Sequence, residues 1–235
     1  MNEYVIRFSI RQRIEHVCAM VLFVMLALTG FAQKFVQAEW AQWTIEAMGG
    51  IDRVRWFHRG AGVLFTALTV SHLVLGLIMV IRARAQPSII PTRKDFHDAA
   101  MMMRYYLRLS DEQARFERYD YRQKFEYWGM VLGSGLMIVT GFILCFPVLT
   151  TRVLPGEIIP AARMAHGGEG LLAFLVVITW HIYNVHFATD EFSFDSTIFS
   201  GKISLERMEK EHPLEYAQLR AEKEKREGTA EAFEI

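Results

Sequence analysis

The chain has 235 residues, of which 52% are hydrophobic, and its 26 basic side chains balance 26 acidic ones. A net charge of zero gives no global positive field of the kind that nucleic-acid binding needs. The two cysteines form neither a cluster for an iron–sulfur centre nor the C-x-x-C-H motif of covalent haem attachment. Because no glycine-rich dinucleotide fingerprint or P-loop is present either, we expect no substrate-dehydrogenase site on this chain.

Four apolar segments dominate the chain, and each is about long enough to cross a hydrocarbon core of roughly 30 Å. They cover residues 16–36, 58–81, 127–149 and 166–188. Each is apolar on nearly all sides, whereas helices of soluble proteins are apolar along one stripe. The sequence therefore predicts an all-α integral membrane protein, with a four-helix transmembrane domain over 1–200 and a polar tail over 201–235.

The basic residues are distributed unevenly between the connections. Of the 26 Lys and Arg residues, 20 lie before the first span, in the connection 82–126 or in the tail. Basic residues accumulate on the cytoplasmic side of a membrane, so both termini of this multi-pass protein are predicted to be cytoplasmic. No small-residue cleavage site follows the first apolar run, so we interpret it as a retained span.

The polar regions carry weaker signals. Residues 1–15 are interpreted as a short cytoplasmic arm, and His97 and His212 are expected to be solvated. Residues 94–109 have apolar residues at helical spacing, which predicts an amphipathic helix on the membrane surface or against a partner subunit. The last part, 218–231, is rich in Glu, Lys and Arg and is predicted to be a solvated helix or disordered.

The chain also contains an internal repeat. RQRIEH at residue 11 matches RQKFEY at residue 122, and Thr-Gly-Phe follows at the same offset, at residues 29 and 140. The pattern His-x-Gly-x-Gly begins at residues 58 and 166. We infer a duplicated two-span hairpin whose symmetry axis lies along the membrane normal.

Histidines stand out because ionisable groups in hydrocarbon are costly and often functional. Six of the eight lie in or at the ends of spans: His16, His58, His72, His166, His181 and His186. Histidines 14 or 15 residues apart on one helix are roughly 21–22 Å apart. They cannot share one ion whose ligands lie within about 2.3 Å. A haem iron instead takes one histidine from each of two helices, so the pattern predicts two haems stacked across the bilayer.

His58 and His166 form the clearest predicted ligand pair. Both open their spans at the outer face, and they are equivalent in the repeat. Nearby glycines would let a porphyrin or a neighbouring helix approach closely: Gly60, Gly62, Gly167, Gly168 and Gly170. Glu169 is expected to hydrogen-bond a ligand histidine or a haem propionate, or to reach solvent.

The depth of the histidines along their spans does not decide which of them pair on the cytoplasmic side. At 1.5 Å per residue, depth favours His72 with His181, and His16 with His186 as ligands of a third haem. His16 with His181 is mismatched by about 5–7 Å, which helix tilt can absorb. His72 with His186 is mismatched by about 12 Å and is disfavoured.

At these residues the chain resembles a known family. The motifs are RIEHVCAMVLFVMLALTGF, HRGAGVLF, RYDYRQKFEYW, HGGEG, WHIYNVH and EHPLEY. They are similar to those of the di-haem cytochrome b (gamma) subunit of membrane-bound formate dehydrogenases. That subunit belongs to a cytochrome b561-like group that also serves hydrogenases and thiosulfate reductases.

The resemblance implies a set of haem ligands. His58 and His166 would hold the outer haem b, and His16 and His181 the cytoplasmic one. His72 and His186 are additional to the simplest members of the family, and serve as alternative ligands or as ligands of a third haem.

The resemblance also implies a quinone pocket beside the cytoplasmic haem, near His181 and residues 120–123, for menaquinone or ubiquinone. Asp120 stands where we expect Asn. Asp120 or Glu126 would exchange protons with the quinone, and Arg122, Gln123 or His181 would hydrogen-bond its carbonyl. For Asp120, Arg122 and Gln123 a role as solvated juxtamembrane residues is an equal alternative.

The function implied is electron transfer between an iron–sulfur partner, attached to a catalytic dehydrogenase subunit, and the quinone pool. The partners expected are these two subunits, membrane lipid and quinone, with a higher oligomer of the complex left open. The alternatives are a cytochrome b subunit of a hydrogenase or thiosulfate reductase, a stand-alone b561-type transmembrane reductase, and an assembly anchor with structural haems.

Overall fold

The computed structural model describes residues 4–82, 88–187 and 195–233, and nearly all of their regular structure is helical. The first half contains β1 (Tyr4–Ile6), α1 (Ile10–Lys34), α2 (Glu39–Ala47), α3 (Ile51–Ile81) and α4 (Arg93–Tyr106). The second half contains α5 (Tyr121–Cys145), α6 (Pro147–Thr150), α7 (Ile158–Val176), π-helical segments Val177–His181 and Tyr183–Phe187, α8 (Thr197–Ser200), β2 (Lys202–Ser204), α9 (Leu205–Glu211) and α10 (Pro213–Phe233).

The chain forms two compact units. The span unit comprises Ile10–Arg82 and Gly129–Asp195, and the polar unit comprises Met1–Ser9, Ala83–Trp128 and Ser196–Ile235. This division differs from the predicted split at residue 200, because the N-terminal segment and the long connection group with the tail.

The four predicted spans are confirmed as helices. By length and composition α1, α3, α5 and the helix from Ile158 to Phe187 can cross a membrane. All four begin earlier than the apolar pattern indicated, at Ile10, Ile51, Tyr121 and Ile158, because a helix can continue past the hydrocarbon into the headgroup region. α5 ends at Cys145, since Pro147 cannot continue its hydrogen-bond ladder.

Helix contacts within the span unit are made through small side chains. α1 packs against both α3 and α7. The buried residues of this unit are alanine, threonine and one valine: Thr29, Ala32, Ala41, Thr44, Val54, Ala61, Thr140, Thr150 and Ala162. Small residues let helix backbones approach closely in a bilayer, where lipid is as apolar as leucine.

The fourth span changes its helical type near its end. After Val176 the backbone continues through the two π-helical segments that contain His181 and His186. A π turn holds an additional residue, so it rotates the following side chains relative to an uninterrupted α-helix. Residue spacing alone predicts a regular α-helix there, without this rotation.

The polar unit contains a two-stranded ribbon that the all-helical prediction missed. β1 pairs antiparallel with β2, with Val5 opposite Ile203. Ile203 and Met208 are almost fully buried. The residues predicted as an arm therefore join the tail in one folded unit.

A buried polar cluster makes the expectation of a solvated His212 wrong. His212 is 5% exposed, its Nδ1 donates to the Glu117 carbonyl at 2.7 Å, and its Nε2 accepts from Arg7 at 3.0 Å. Arg7 also forms an ion pair with Glu215, which Arg118 contacts at 2.6 Å. Burial, together with the charge of Arg7, lowers the pKa of His212, consistent with a neutral ring that donates at one nitrogen and accepts at the other.

The predicted amphipathic helix exists as α4. Its first turn is fixed by Asp95, which accepts hydrogen bonds from the amide and hydroxyl of Thr92 at 2.6 and 2.8 Å and pairs with Lys124 at 2.8 Å. Burial would raise the pKa of Asp95, but the Lys124 and Thr92 hydrogen bonds outweigh it and lower that pKa. The large apolar residues of the predicted face are exposed: Phe96, Met103 and Leu107. His97 is exposed, as expected.

The tail contains the predicted helix, α10, which runs from Pro213 to Phe233. The described part of residues 218–231 is therefore helical rather than irregular.

Candidate functional site

The structure brings His58 of α3 and His166 of α7 together. Their ring centroids are 6.2 Å apart and the ring planes cross at 76°. These are the two histidines that open the repeated His-x-Gly-x-Gly patterns. Their helices begin before them, so both histidines lie about two turns inside their helices.

The structure also brings His16 of α1 and His181 of the π-helical segment together. Their ring centroids are again 6.2 Å apart, with the planes at 36°. Depth alone favoured His72 as the partner of His181. The observed pair is the one that the family resemblance implies.

Both separations fit an iron atom held between two imidazoles. Two metal–nitrogen bonds of about 2.0–2.1 Å, added to the half-widths of two rings, place the centroids roughly 6 Å apart. The described residues contain no group of three or more His, Cys, Asp or Glu side chains that could hold a metal ion. The donor set in each place is two imidazoles, which is the axial ligand set of an electron-transferring haem.

The first pair has two further neighbours that the sequence analysis did not single out as site residues. The hydroxyl oxygen of Thr29 lies 2.9 Å from Nδ1 of His58, and that of Thr140 lies 2.9 Å from Nδ1 of His166. The signal was present, since both threonines begin the repeated Thr-Gly-Phe triplet. The triplet indicated a duplication, but not that its hydroxyls contact the histidines.

Glycine at the next position makes room for each ring. A Cβ atom at Gly30 would lie 3.1 Å from Cε1 of His58, and one at Gly141 would lie 3.3 Å from Cε1 of His166. Both distances are tighter than ordinary van der Waals contact. The two glycines therefore leave room for the imidazoles, whereas nothing was found within 4 Å of such a Cβ position at Gly60 and Gly62.

His72 and His186 have other neighbours in the structure. Nδ1 of His72 lies 2.9 Å from a carboxylate oxygen of Glu15, which Arg11 also approaches at 3.5 Å. Nδ1 of His186 accepts a hydrogen bond from the Asp195 amide at 3.3 Å.

Two charged side chains lie beside the turn that carries His166. A Cβ atom at Gly167 would meet the ammonium group of Lys34 at 2.9 Å, and one at Gly133 would collide with the carboxylate of Glu169. Glu169 is half-buried. The ammonium group of Lys34 is suited to a propionate, because charge-assisted hydrogen bonds are the stronger ones.

The quinone-site candidates of the polar unit contact one another at the start of α5. The Asp120 carboxylate caps the helix by accepting a hydrogen bond from the backbone N–H of Gln123 at 2.8 Å. Oε1 of Gln123 in turn accepts from the backbone N–H of Asp120 at 3.2 Å. Arg122 donates to the same carboxylate through Nε and Nη2 at 3.0 and 2.7 Å. Asp120 is 5% exposed, so the expectation of a freely solvated carboxylate is wrong. Capping explains why these residue types follow one another at this helix start.

Four membrane-spanning helices that carry two facing histidine pairs define a class of protein, the membrane b-type cytochromes. The chain belongs to the prokaryotic cytochrome b561 family, whose sequence model matches residues 7–191. Membership implies that the chain is a membrane haem b protein of electron transfer.

Similar proteins cover almost the whole chain. The cytochrome b556(fdo) subunit of formate dehydrogenase from Escherichia coli K12 is 24% identical over 96% of this chain and 98% of its own length. The cytochrome b556(Fdn) subunit of the nitrate-inducible formate dehydrogenase of the same strain is 22% identical over 97% of this chain and 98% of its own length. The Fdn subunit of Shigella flexneri is similar to the same degree.

Proposed function

We propose that this chain is the membrane cytochrome b subunit of a respiratory dehydrogenase, and that it passes electrons between an iron–sulfur partner subunit and the quinone pool. The observation that carries the proposal is the presence of two histidine pairs, His58–His166 and His16–His181, within one span unit. The fourth span supplies one histidine to each pair, and the two lie about 22 Å apart at helical rise. Two such sites form a relay across a bilayer.

Each pair would hold one haem b, and the histidine rings define where it sits. An iron with two histidine ligands has no open position and therefore carries electrons rather than activating oxygen. The small residues around α1, α3 and α7 keep bulky side chains out of the helix contacts near the His58–His166 pair. Two facing pairs support two haems, and His72 and His186 stay candidates for a third.

Quinone chemistry would draw on donors of the polar unit at the start of α5. The helix cap occupies Nε and Nη2 of Arg122 and Oε1 of Gln123. Gln123 is exposed, and its amide nitrogen is available among the described contacts as a donor to a quinone carbonyl. Asp120, or Glu126 nearly two helical turns later, would exchange the proton, with menaquinone and ubiquinone as the two candidate substrates.

The partners and the membrane follow from the relatives and the charge distribution. The similar proteins are named as formate dehydrogenase subunits, and we propose an iron–sulfur and a catalytic dehydrogenase subunit as partners of this chain. The excess of basic residues in the two termini and in 82–126 supports cytoplasmic termini in the bacterial inner membrane.

The test begins with the complex purified in mild detergent from cells that carry a tagged chromosomal copy. We expect about two haems b per polypeptide, a co-purifying iron–sulfur subunit, and reduction of the haems by a quinol. His58→Ala and His16→Ala should each remove one haem. Gln123→Ala should slow haem reduction by quinol without changing haem content, with the exposed Gln113→Ala as control.

Three results would contradict the proposal. If neither His58→Ala nor His16→Ala lost haem, the assignment of these histidines as haem ligands would be wrong. Haems that quinol does not reduce would remove the quinone function. A chain that purifies alone and is active with a soluble electron donor would indicate the stand-alone reductase instead.

A further inference from the structure

Two buried threonines occupy equivalent places around the His58–His166 pair. Thr29 is fully buried on α1 and Thr140 is 5% exposed on α5. They occupy matching positions of the internal repeat, and each contacts the histidine of the following span at 2.9 Å. The same local arrangement has thus been kept in both halves of the chain.

The direction of each hydrogen bond follows from the single proton of a hydroxyl group. Thr29 Oγ1 lies 2.6 Å from the Met25 carbonyl oxygen, and Thr140 Oγ1 lies 2.6 Å from the Leu136 carbonyl oxygen, so each hydroxyl donates within its own helix. Each oxygen is then left to accept from the histidine, and Nδ1 must carry the proton.

The resulting tautomer is the one that ligation requires. With the proton on Nδ1, the lone pair of Nε2 is available to a metal. The glycine after each threonine completes the arrangement, because a Cβ atom there would press on the ring within 3.1–3.3 Å.

We propose that Thr29 and Thr140 are positioning residues that tune the redox potential of the haem held by His58 and His166, with Gly30 and Gly141 giving the rings room. The inference rests on the proposed function, since it concerns the ligands of that haem. A hydrogen bond accepted from Nδ1–H raises the basicity of a ligand histidine. A more basic ligand stabilises ferric over ferrous iron, so the two hydroxyls lower the midpoint potential of this haem.

The test replaces each hydroxyl by a methyl group of similar size in the full complex. In Thr29→Val and Thr140→Val the midpoint potential of one haem should shift to more positive values, by similar amounts. The double variant should shift it further, and the other haem should keep its potential.

Two controls separate ligand tuning from packing. Thr29→Ser restores a hydroxyl and should return the potential to that of the unchanged protein. Thr66→Val removes another span threonine, whose hydroxyl bonds to the Gly62 carbonyl of its own helix at 2.7 Å, and should shift neither haem. The low-spin EPR signals identify which haem responds, since the ring planes cross at 76° in one pair and 36° in the other.

The outcomes distinguish this inference from the proposed function. Two haems with unchanged potentials and EPR signals in both valine variants would overturn the inference and leave the function standing. Loss of the haem in valine and serine variants alike would also overturn it, since only packing would then be at work. A protein that binds no haem, or keeps both in His58→Ala, would overturn the proposed function itself.

Discussion

The two histidine pairs follow the internal repeat to different degrees. At the His58–His166 pair every part occurs twice, from the ligands to the Thr-Gly dipeptides that contact them. At the His16–His181 pair the ligand positions are not repeated: the position equivalent to His16 is Tyr127, and the position equivalent to His181 is Leu73. One duplicated hairpin has therefore produced a symmetric site and an asymmetric one.

The difference shows which helices each site depends on. The symmetric pair uses α3 and α7, the equivalent second spans of the two copies, whereas the asymmetric pair uses α1 and the fourth span. The fourth span takes part in both, and it is the span whose helix turns into π-helical segments before His181. A duplicated scaffold can lose symmetry at one end because each ligand is a single side chain.

The largest expected effect tests whether the repeat is broken at the His16–His181 pair. His16→Ala should remove one of two haems, because the iron loses an axial ligand. Tyr127→Ala, at the equivalent position of the second copy, should keep both. Haem quantification and redox titration of the purified complex measure this. Equal loss in the two variants would mean that the site is symmetric after all.

A smaller loss of haem is expected when a methyl group is placed against the rings of the His58–His166 pair. Gly30→Ala and Gly141→Ala force contacts of 3.1 and 3.3 Å on the histidine rings. Overpacking of this kind costs about 1–3 kcal/mol, or roughly 5- to 150-fold in haem affinity. The effect should be larger at Gly30.

Haem retention during detergent washing measures the effect of these glycine variants. Gly135→Ala, on α5, has open space and serves as the control for the change in helix propensity. An equal loss of haem in all three variants would mean that the change in helix propensity causes it, and not steric contact with the histidine rings.

A still smaller effect is expected at His72, which depth alone favoured as a ligand. His72→Gln should leave two haems and cost about 1 kcal/mol of stability, because its contact with Glu15 is partly exposed. Thermal unfolding followed by circular dichroism measures the stability, with the exposed His97→Gln as control. Loss of a haem in His72→Gln would restore the pairing of His72 with His181.

The smallest effect concerns His212, a buried histidine of the polar unit. Its lowered pKa means that the unfolded state takes up a proton more readily than the folded state. Its contribution to stability is therefore present above about pH 6.5 and is lost as the pH falls toward the folded pKa. The protection factors of the β1 and β2 amides, which are corrected for the pH dependence of intrinsic exchange, should be severalfold lower at pH 5 than at pH 7. His212→Gln should flatten this dependence, and an unchanged dependence would assign it to other groups.

Much of the span unit could be predicted from the sequence, because apolar length and buried histidines are local signals. The polar unit could not. β1 and β2 have three residues each, which is too short for a periodic pattern, and they pair from opposite ends of the chain. His212 lies in a charged segment, and only its contacts with Arg7 and Glu117 remove it from solvent.

The sequence by itself determined the four spans, the six histidines within them and the repeat that makes His58 and His166 equivalent. Only the tertiary structure decided that His181 lies against His16, and that the repeated threonines contact the symmetric pair. The physical reason is that helical rise gives the depth of a side chain along its own span. Which neighbour the side chain faces depends on helix packing and, at His181, on a π-helical rotation that residue spacing does not reveal.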